Sequence, residues 1–77
     1  MEQFIKSNKT IGKNIKLARK KNKMTQDQLC AKMQLFECDI SRGTLAKIEA
    51  GIRHISLDEL RVISKILNVD YNYLLNY

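Results

Sequence analysis

The chain reads as an all-α domain, and three observations carry that reading. Its 77 residues include no proline, three glycines, two phenylalanines and three tyrosines, a composition poor in both turn formers and strand formers. Apolar residues recur at intervals of three and four, and no stretch alternates apolar with polar. Hydroxyl residues stand ahead of the apolar runs at Thr25, Ser41 and Ser56, where a side-chain oxygen can satisfy the free backbone donors of a helix's first turn. A chain of this length makes one domain and buries roughly 60% of its unfolded surface, so five short helices around one core are expected.

Residues 1–9 have no clear period and read as an N-terminal arm, with Phe4 and Ile5 available to dock on the body; residues 10–77 form the domain. Helix 1 should start near Thr10, because Ile11, Ile15 and Ala18 share one face while the lysines and Asn14 take the others; Asn22 and Lys23 mark its end. Helix 2 follows Thr25, which with Gln28 fits the reciprocal capping box. Leu29, Met33 and Phe36 continue the inward spacing and carry this helix to about Phe36, leaving Glu37, Cys38, Asp39 and Ile40 as connector. Helix 3 follows Ser41, turns Leu45 and Ile48 inward and is closed by Gly51, where a left-handed residue costs least. Ser56 with Glu59 opens helix 4, whose apolar positions are Leu57, Leu60, Ile63, Ile66 and Leu67, and Asn68 ends it. Asp70 can cap a last helix over residues 71 to about 76, with Leu74 inward.

Charge is distributed unevenly. Residues 1–23 carry Lys6, Lys9, Lys13, Lys16, Arg19, Lys20, Lys21 and Lys23 against Glu2 alone, whereas the remainder is close to neutral within a total of +6. Such a field attracts DNA, RNA or an anionic membrane surface, although lysines that merely solvate a small protein would look the same. No segment approaches the roughly 20 apolar residues that span a bilayer, and no apolar leader opens the chain, so a cytoplasmic setting is expected. Cys30 and Cys38 lack the paired spacing of a zinc site and His54 is the sole histidine, so no metal or other cofactor is expected and Cys30 suits a buried reduced thiol. No nucleophile is spaced with a base, and no phosphate-cradling loop exists, which argues against an enzyme.

Two capped helices joined by a connector fill residues 24–51. Together with Ile11-Gly12-Lys13-Asn14-Ile15, Ala18-Arg19-Lys20, Met24-Thr25-Gln26, Leu29-Cys30, Ser41-Arg42, Thr44-Leu45 and Lys47-Ile48-Glu49-Ala50-Gly51, they make the chain resemble the lambda-repressor-like helix-turn-helix family, the Cro and phage-repressor type. Ser56-Leu57-Asp58-Glu59-Leu60, Leu67-Asn68-Val69 and Leu74-Leu75 extend the likeness over about residues 10–76. One departure stands out: between Met33 and Ser41 the chain is about five residues longer than the family's spacing, which a longer helix 2 and connector would absorb.

The resemblance implies a sequence-specific, double-stranded DNA-binding regulator of repressor type, with helix 3, about residues 42–50, in the major groove. It implies that Gln26 reaches a phosphate from the start of helix 2, that Ser41, Arg42, Gly43, Thr44 and Lys47 form the reading edge, and that Arg53, beside His54, grips the adjacent backbone. It also pairs Arg19 with Glu49. The physics suits Arg42 best, since a guanidinium can donate two hydrogen bonds to a guanine edge. Gln26 and Lys47, judged as residues alone, suit solvated positions equally well. A homodimer would have to use the C-terminal helix, where Tyr71, Tyr73, Leu75 and Tyr77 supply surplus surface, although they equally suit covering the monomer. The acidic connector leaves room for a protein-interaction module of the same fold, of antitoxin or antirepressor type. RNA is disfavoured, because no aromatic and basic stacking platform is evident.

Overall fold

The computed structural model describes residues 8–75, and the regular elements within them are all helices: α1 (Asn8–Lys21), α2 (Gln26–Gln34), α3 (Arg42–Glu49), α4 (Leu57–Leu67) and α5 (Tyr71–Leu75). The expected docking of Phe4 and Ile5, the end of α5 near residue 76 and the role given to Tyr77 lie outside the described residues. α1 begins two residues ahead of the expected start at Thr10.

The helix starts follow the sequence closely. Thr25 and Ser56 each accept from the backbone N–H three residues on, and the side chains of Gln28 and Glu59 return to the cap residues, completing both capping boxes. Ser41 caps α3 through the N–H of Thr44. Asp70 accepts from the Tyr73 N–H at 2.9 Å and so opens α5.

The helix ends share one device. After each of the first four helices a residue adopts the left-handed conformation, at Lys23 (φ 57°), Glu37 (φ 60°), Gly51 (φ 79°) and Asn68 (φ 56°). The next N–H then reaches back five residues: Met24 to Arg19, Cys38 to Met33, Ile52 to Lys47 and Val69 to Ser64. This is the Schellman closure, which satisfies carbonyls that would otherwise lack partners. At Glu37 it corrects the sequence expectation. α2 stops at Gln34, residues 35–37 form the turn, and Phe36 falls outside the helix with 45% of its surface exposed. The extra residues therefore lengthen the connector and leave α2 short.

The core gathers Ile11, Ile15 and Ala18 from α1, Leu29, Cys30 and Met33 from α2, Leu45 and Ile48 from α3, Leu60, Ile63 and Leu67 from α4, and Leu74 from α5. Leu57, expected among the apolar positions of α4, is 73% exposed. It is the first residue of that helix, and Leu60, Ile63 and Leu67 already occupy the inward face.

α1 crosses the end of α3 at a distance that only glycine permits. A methyl built on Gly12 would fall inside the van der Waals shell of the Ile48 and Glu49 carbonyl oxygens. α1 is also tied to the C-terminal helix, for Asn14 donates through Nδ2 to the buried carbonyl of Leu74 at 3.0 Å, sixty residues away. Asn22 donates to the Leu67 carbonyl at 3.2 Å and so joins the end of α1 to the end of α4.

Candidate nucleic-acid interface

α3 has eight residues, and its burial pattern divides it sharply. Leu45, Ile48 and Glu49 face the core, Thr44 and Ala46 are half-buried, and Arg42, Gly43 and Lys47 are exposed. Ser41 and Thr44, both expected on the reading edge, are partly committed to each other. The Ser41 Oγ accepts from the Thr44 N–H and donates to Thr44 Oγ1 at 3.0 Å. Arg42 extends from the first turn with its side chain 67% exposed, and its Nε lies 4.0 Å from Oδ1 of Asp27 on α2.

A buried carboxylate holds the far end of α3. Glu49 accepts from Arg19 Nε at 2.7 Å and from Arg19 Nη2 at 3.0 Å, and the two side chains are 3% and 7% exposed respectively. Arg19 Nη1 also donates to the Met24 carbonyl at 2.8 Å. One guanidinium thus fastens α1, the turn into α2 and the C-terminus of α3, where a carboxylate alone would be unfavourable. This is the pairing that the resemblance implies. It also withdraws Arg19 from the surface charge, which leaves Lys9, Lys13, Lys16, Lys20, Lys21 and Lys23 exposed on and just after α1.

Gln26 shares the same carboxylate. Its Nε2 donates to Glu49 Oε1 at 3.0 Å, so one of its two amide hydrogens is already engaged. Sequence reasoning placed Gln26 at a phosphate and missed this bond, which spans 23 residues and leaves no mark on local spacing.

Arg53 differs more from expectation. Its two terminal nitrogens donate to the Glu59 carboxylate, each at 3.0 Å, and Nη1 also donates to the His54 carbonyl. Glu59 has two roles, because its Oε1 also accepts from the Ser56 N–H in the capping box. The Arg53 hydrogen bonds, aided by the Ser56 N–H, hold the Glu59 carboxyl below the usual carboxylate range despite its burial. In this state Arg53 closes the α3–α4 loop, and its charge is largely neutralised.

Lys20, Lys23, Thr25, Gln26, Asp27 and Arg42 line an open groove where the end of α1 and the starts of α2 and α3 converge. Burial, with Asp27 and Glu49 nearby, raises the pKa of the Cys30 thiol, and burial with Glu59 and Asp58 does the same at Cys38. Both therefore stay protonated and unsuited to attack as thiolates. Among the described residues no group of three histidine, cysteine, aspartate or glutamate side chains comes together as a metal site. None of the described helices is long and apolar enough to cross a membrane.

A helix-turn-helix family profile, of the Cro/C1 type, matches residues 15–74, from the middle of α1 into α5. The chain belongs to that family. Its members are DNA-binding transcription regulators. Control protein C.BamHI of Bacillus amyloliquefaciens is 40% identical over 57 residues, which cover 74% of this chain and 64% of that protein. The chain thus matches somewhat less than two thirds of this relative's length. No solved structure matches. As a helix-turn-helix protein the chain is unusual at its joint. Residues 35–41 separate α2 from α3 and include a left-handed glutamate, whereas the tight form of the motif uses three or four residues.

Proposed function

We propose that this protein reads a specific sequence in double-stranded DNA and acts as a transcriptional regulator of repressor type, with residues 42–50 in the major groove. The observation that carries this reading is the outward edge of α3. Arg42, Gly43 and Lys47 are exposed on a helix whose inner side is locked by Leu45, Ile48 and Glu49, beside the exposed lysines of α1. Arg42 would donate to a guanine, worth about 1–3 kcal/mol of discrimination, and Lys47 would take a base or a phosphate. Gly43 allows close approach. Thr44 offers its methyl or its hydroxyl hydrogen, since its oxygen only accepts from Ser41, and Ser41 holds the first turn in place. Gln26 keeps one amide hydrogen for a phosphate at the start of α2, and Arg53, shared with Glu59, flanks the far end. The α1 lysines supply affinity that ignores sequence and weakens with salt. The name of the relative, a control protein, accords with a regulatory role.

One short helix reads few base pairs, and we propose that two copies meet through α5, setting two half-sites about 34–36 Å apart. Tyr71 and Tyr73 remain 42% and 39% exposed there, which favours a surface that a second copy would cover. A second reading, a protein-interaction module of the same fold, is favoured by one feature. Leu35 is 80% exposed and adjoins Phe36 and the acids Glu37 and Asp39 on the long connector.

Selection of bound sequences from a random duplex pool tests both readings. The expected result is one palindromic motif, with binding that falls steeply as salt rises. A pool that shows no enrichment at low salt would leave the protein-interaction reading in possession.

A further inference from the structure

Asp27 is an acid on a basic face. It stands in the first turn of α2 with its side chain 78% exposed, and it shares the groove with Lys20, Lys23 and Arg42. A carboxylate in a helix's first turn is favourable against the macrodipole, so part of its presence needs no further cause. On a surface meant to meet phosphates, however, it is repelled by the ligand. Its distance to Arg42 Nε, 4.0 Å, is an ion pair without a direct hydrogen bond. Between side chains this exposed, such a pair adds little to folding stability. The macrodipole accounts for an acid in this turn but not for its place beside Arg42.

We propose that Asp27 is a positioning residue for Arg42, a deepening that rests on the reading of Arg42 as a base contact. A guanidinium offers donors along two edges, one formed by Nε with a terminal nitrogen and one by the two terminal nitrogens. An anion on the Nε side leaves the fork of terminal nitrogens free, and two parallel donors are what the O6 and N7 acceptors of guanine require. When DNA excludes water from the groove the effective dielectric falls, and the loose pair tightens at the moment the side chain must be ordered. The start of α2 that carries Asp27 is held in place, because Gln26, its neighbour in the chain, is bonded to the buried Glu49. The same carboxylate penalises binding to any duplex in which Arg42 finds no guanine, since the repulsion from phosphates then has no return. Asp27 therefore raises discrimination while lowering sequence-blind affinity, and those opposite signs separate it from a residue that merely supports the fold.

The experiment measures binding of the wild type, Asp27→Asn, Asp27→Glu, Arg42→Ala and the Asp27→Asn/Arg42→Ala double variant. Each is titrated with the selected duplex, its single-base variants and an unrelated duplex. Arg42→Ala is expected to relax preference at one base position. At that same position Asp27→Asn should lose about three- to tenfold of discrimination, a fraction of a full bidentate contact, while binding to the unrelated duplex holds or tightens. Asp27→Glu should restore most of the loss, and Asp27→Asn should change nothing there once Arg42 is gone. Unchanged discrimination in Asp27→Asn, where Arg42→Ala does relax a position, would overturn the positioning role and leave the Arg42 reading standing. So would an equal loss on every duplex. If Arg42→Ala relaxes no position, the Arg42 reading fails and the role of Asp27 falls with it.

Discussion

Among the described residues two arginine–glutamate pairs share nearly the same geometry and differ in how far the arginine is buried. Arg19 and Glu49 meet through two hydrogen bonds of 2.7 and 3.0 Å across thirty residues, and both side chains are under a tenth exposed. Arg53 and Glu59 meet through two bonds of 3.0 Å across six residues, with the arginine 39% exposed. The first joins α1, α2 and α3 and sets where the exposed edge of α3 lies; the second closes one loop. The difference teaches that the worth of such a pair depends on what is left behind when one partner goes: in the first, loss of either side chain strands a buried charge, whereas in the second only Glu59 is buried, and it keeps the bond from the Ser56 N–H.

The largest expected effect tests that point directly. Glu49→Gln should destabilise by about 3–5 kcal/mol in urea unfolding, because Arg19 keeps its burial and loses its counter-charge. The companion variant, with Arg19→Met and Glu49→Met together, should recover most of the loss. A loss below about 1 kcal/mol for Glu49→Gln would place the buried pair in the class of surface pairs and erase the contrast.

Arg53→Ala should cost less, about 1 kcal/mol near neutral pH, since the guanidinium is partly solvated and Glu59 keeps its bond from the Ser56 N–H. Its signature is in the pH dependence. Arg53 holds the Glu59 carboxyl below the usual carboxylate range, so the stability this group contributes is complete above that range. It fades as the pH drops through the depressed folded value. Without Arg53 that value rises toward the unfolded one, so the variant has less stability to lose as the pH drops. Stability curves of the wild type and the variant should therefore converge at low pH; parallel curves would show that the pair does not govern the titration.

The smallest effect concerns the helix stops beside the two pairs. Lys23, whose left-handed backbone precedes the Met24 carbonyl held by Arg19, carries a side chain where glycine fits better. Gly51, two residues before Arg53, already has the better residue. Lys23→Gly should gain about 0.5–1 kcal/mol in thermal or urea unfolding, with the Arg19 pair undisturbed. A loss would mean that the lysine contributes something its backbone does not reveal.

Most of the fold was legible because spacing and capping are local. Thr25 with Gln28, Ser56 with Glu59, and the apolar residues from Ile11 to Leu74 needed only neighbours a few places away. Phe36 was misplaced because periodicity names a face but does not say where the helix beneath it stops, and Leu57 because Leu60, Ile63 and Leu67 already fill the inward face of α4. At the candidate site, the exposure of Arg42, Gly43 and Lys47 agrees with the sequence, and the pairing of Arg19 with Glu49 was legible through the family resemblance. Gln26 on Glu49 and Arg53 on Glu59 were not legible, because each joins two helices or a loop and a helix whose approach only the folded chain determines. Glu59 was further disguised by its capping role, which accounts for an acid at that position without any second partner.

Gly12 has a consequence for how the molecule opens. With no side chain between the backbones, α1 cannot lift from α3 without uncovering the Ile48 and Glu49 carbonyls and separating Arg19 from Glu49. Opening of either helix is therefore opening of both, and their amide protons should exchange with solvent as one cooperative unit near the global limit. α5, five residues long and anchored by Leu74 and the Asn14 bond, has far less to break and should exchange earlier. Fluctuations in this domain thus run along its C-terminal end, while the crossing of α1 and α3 persists until the whole chain unfolds.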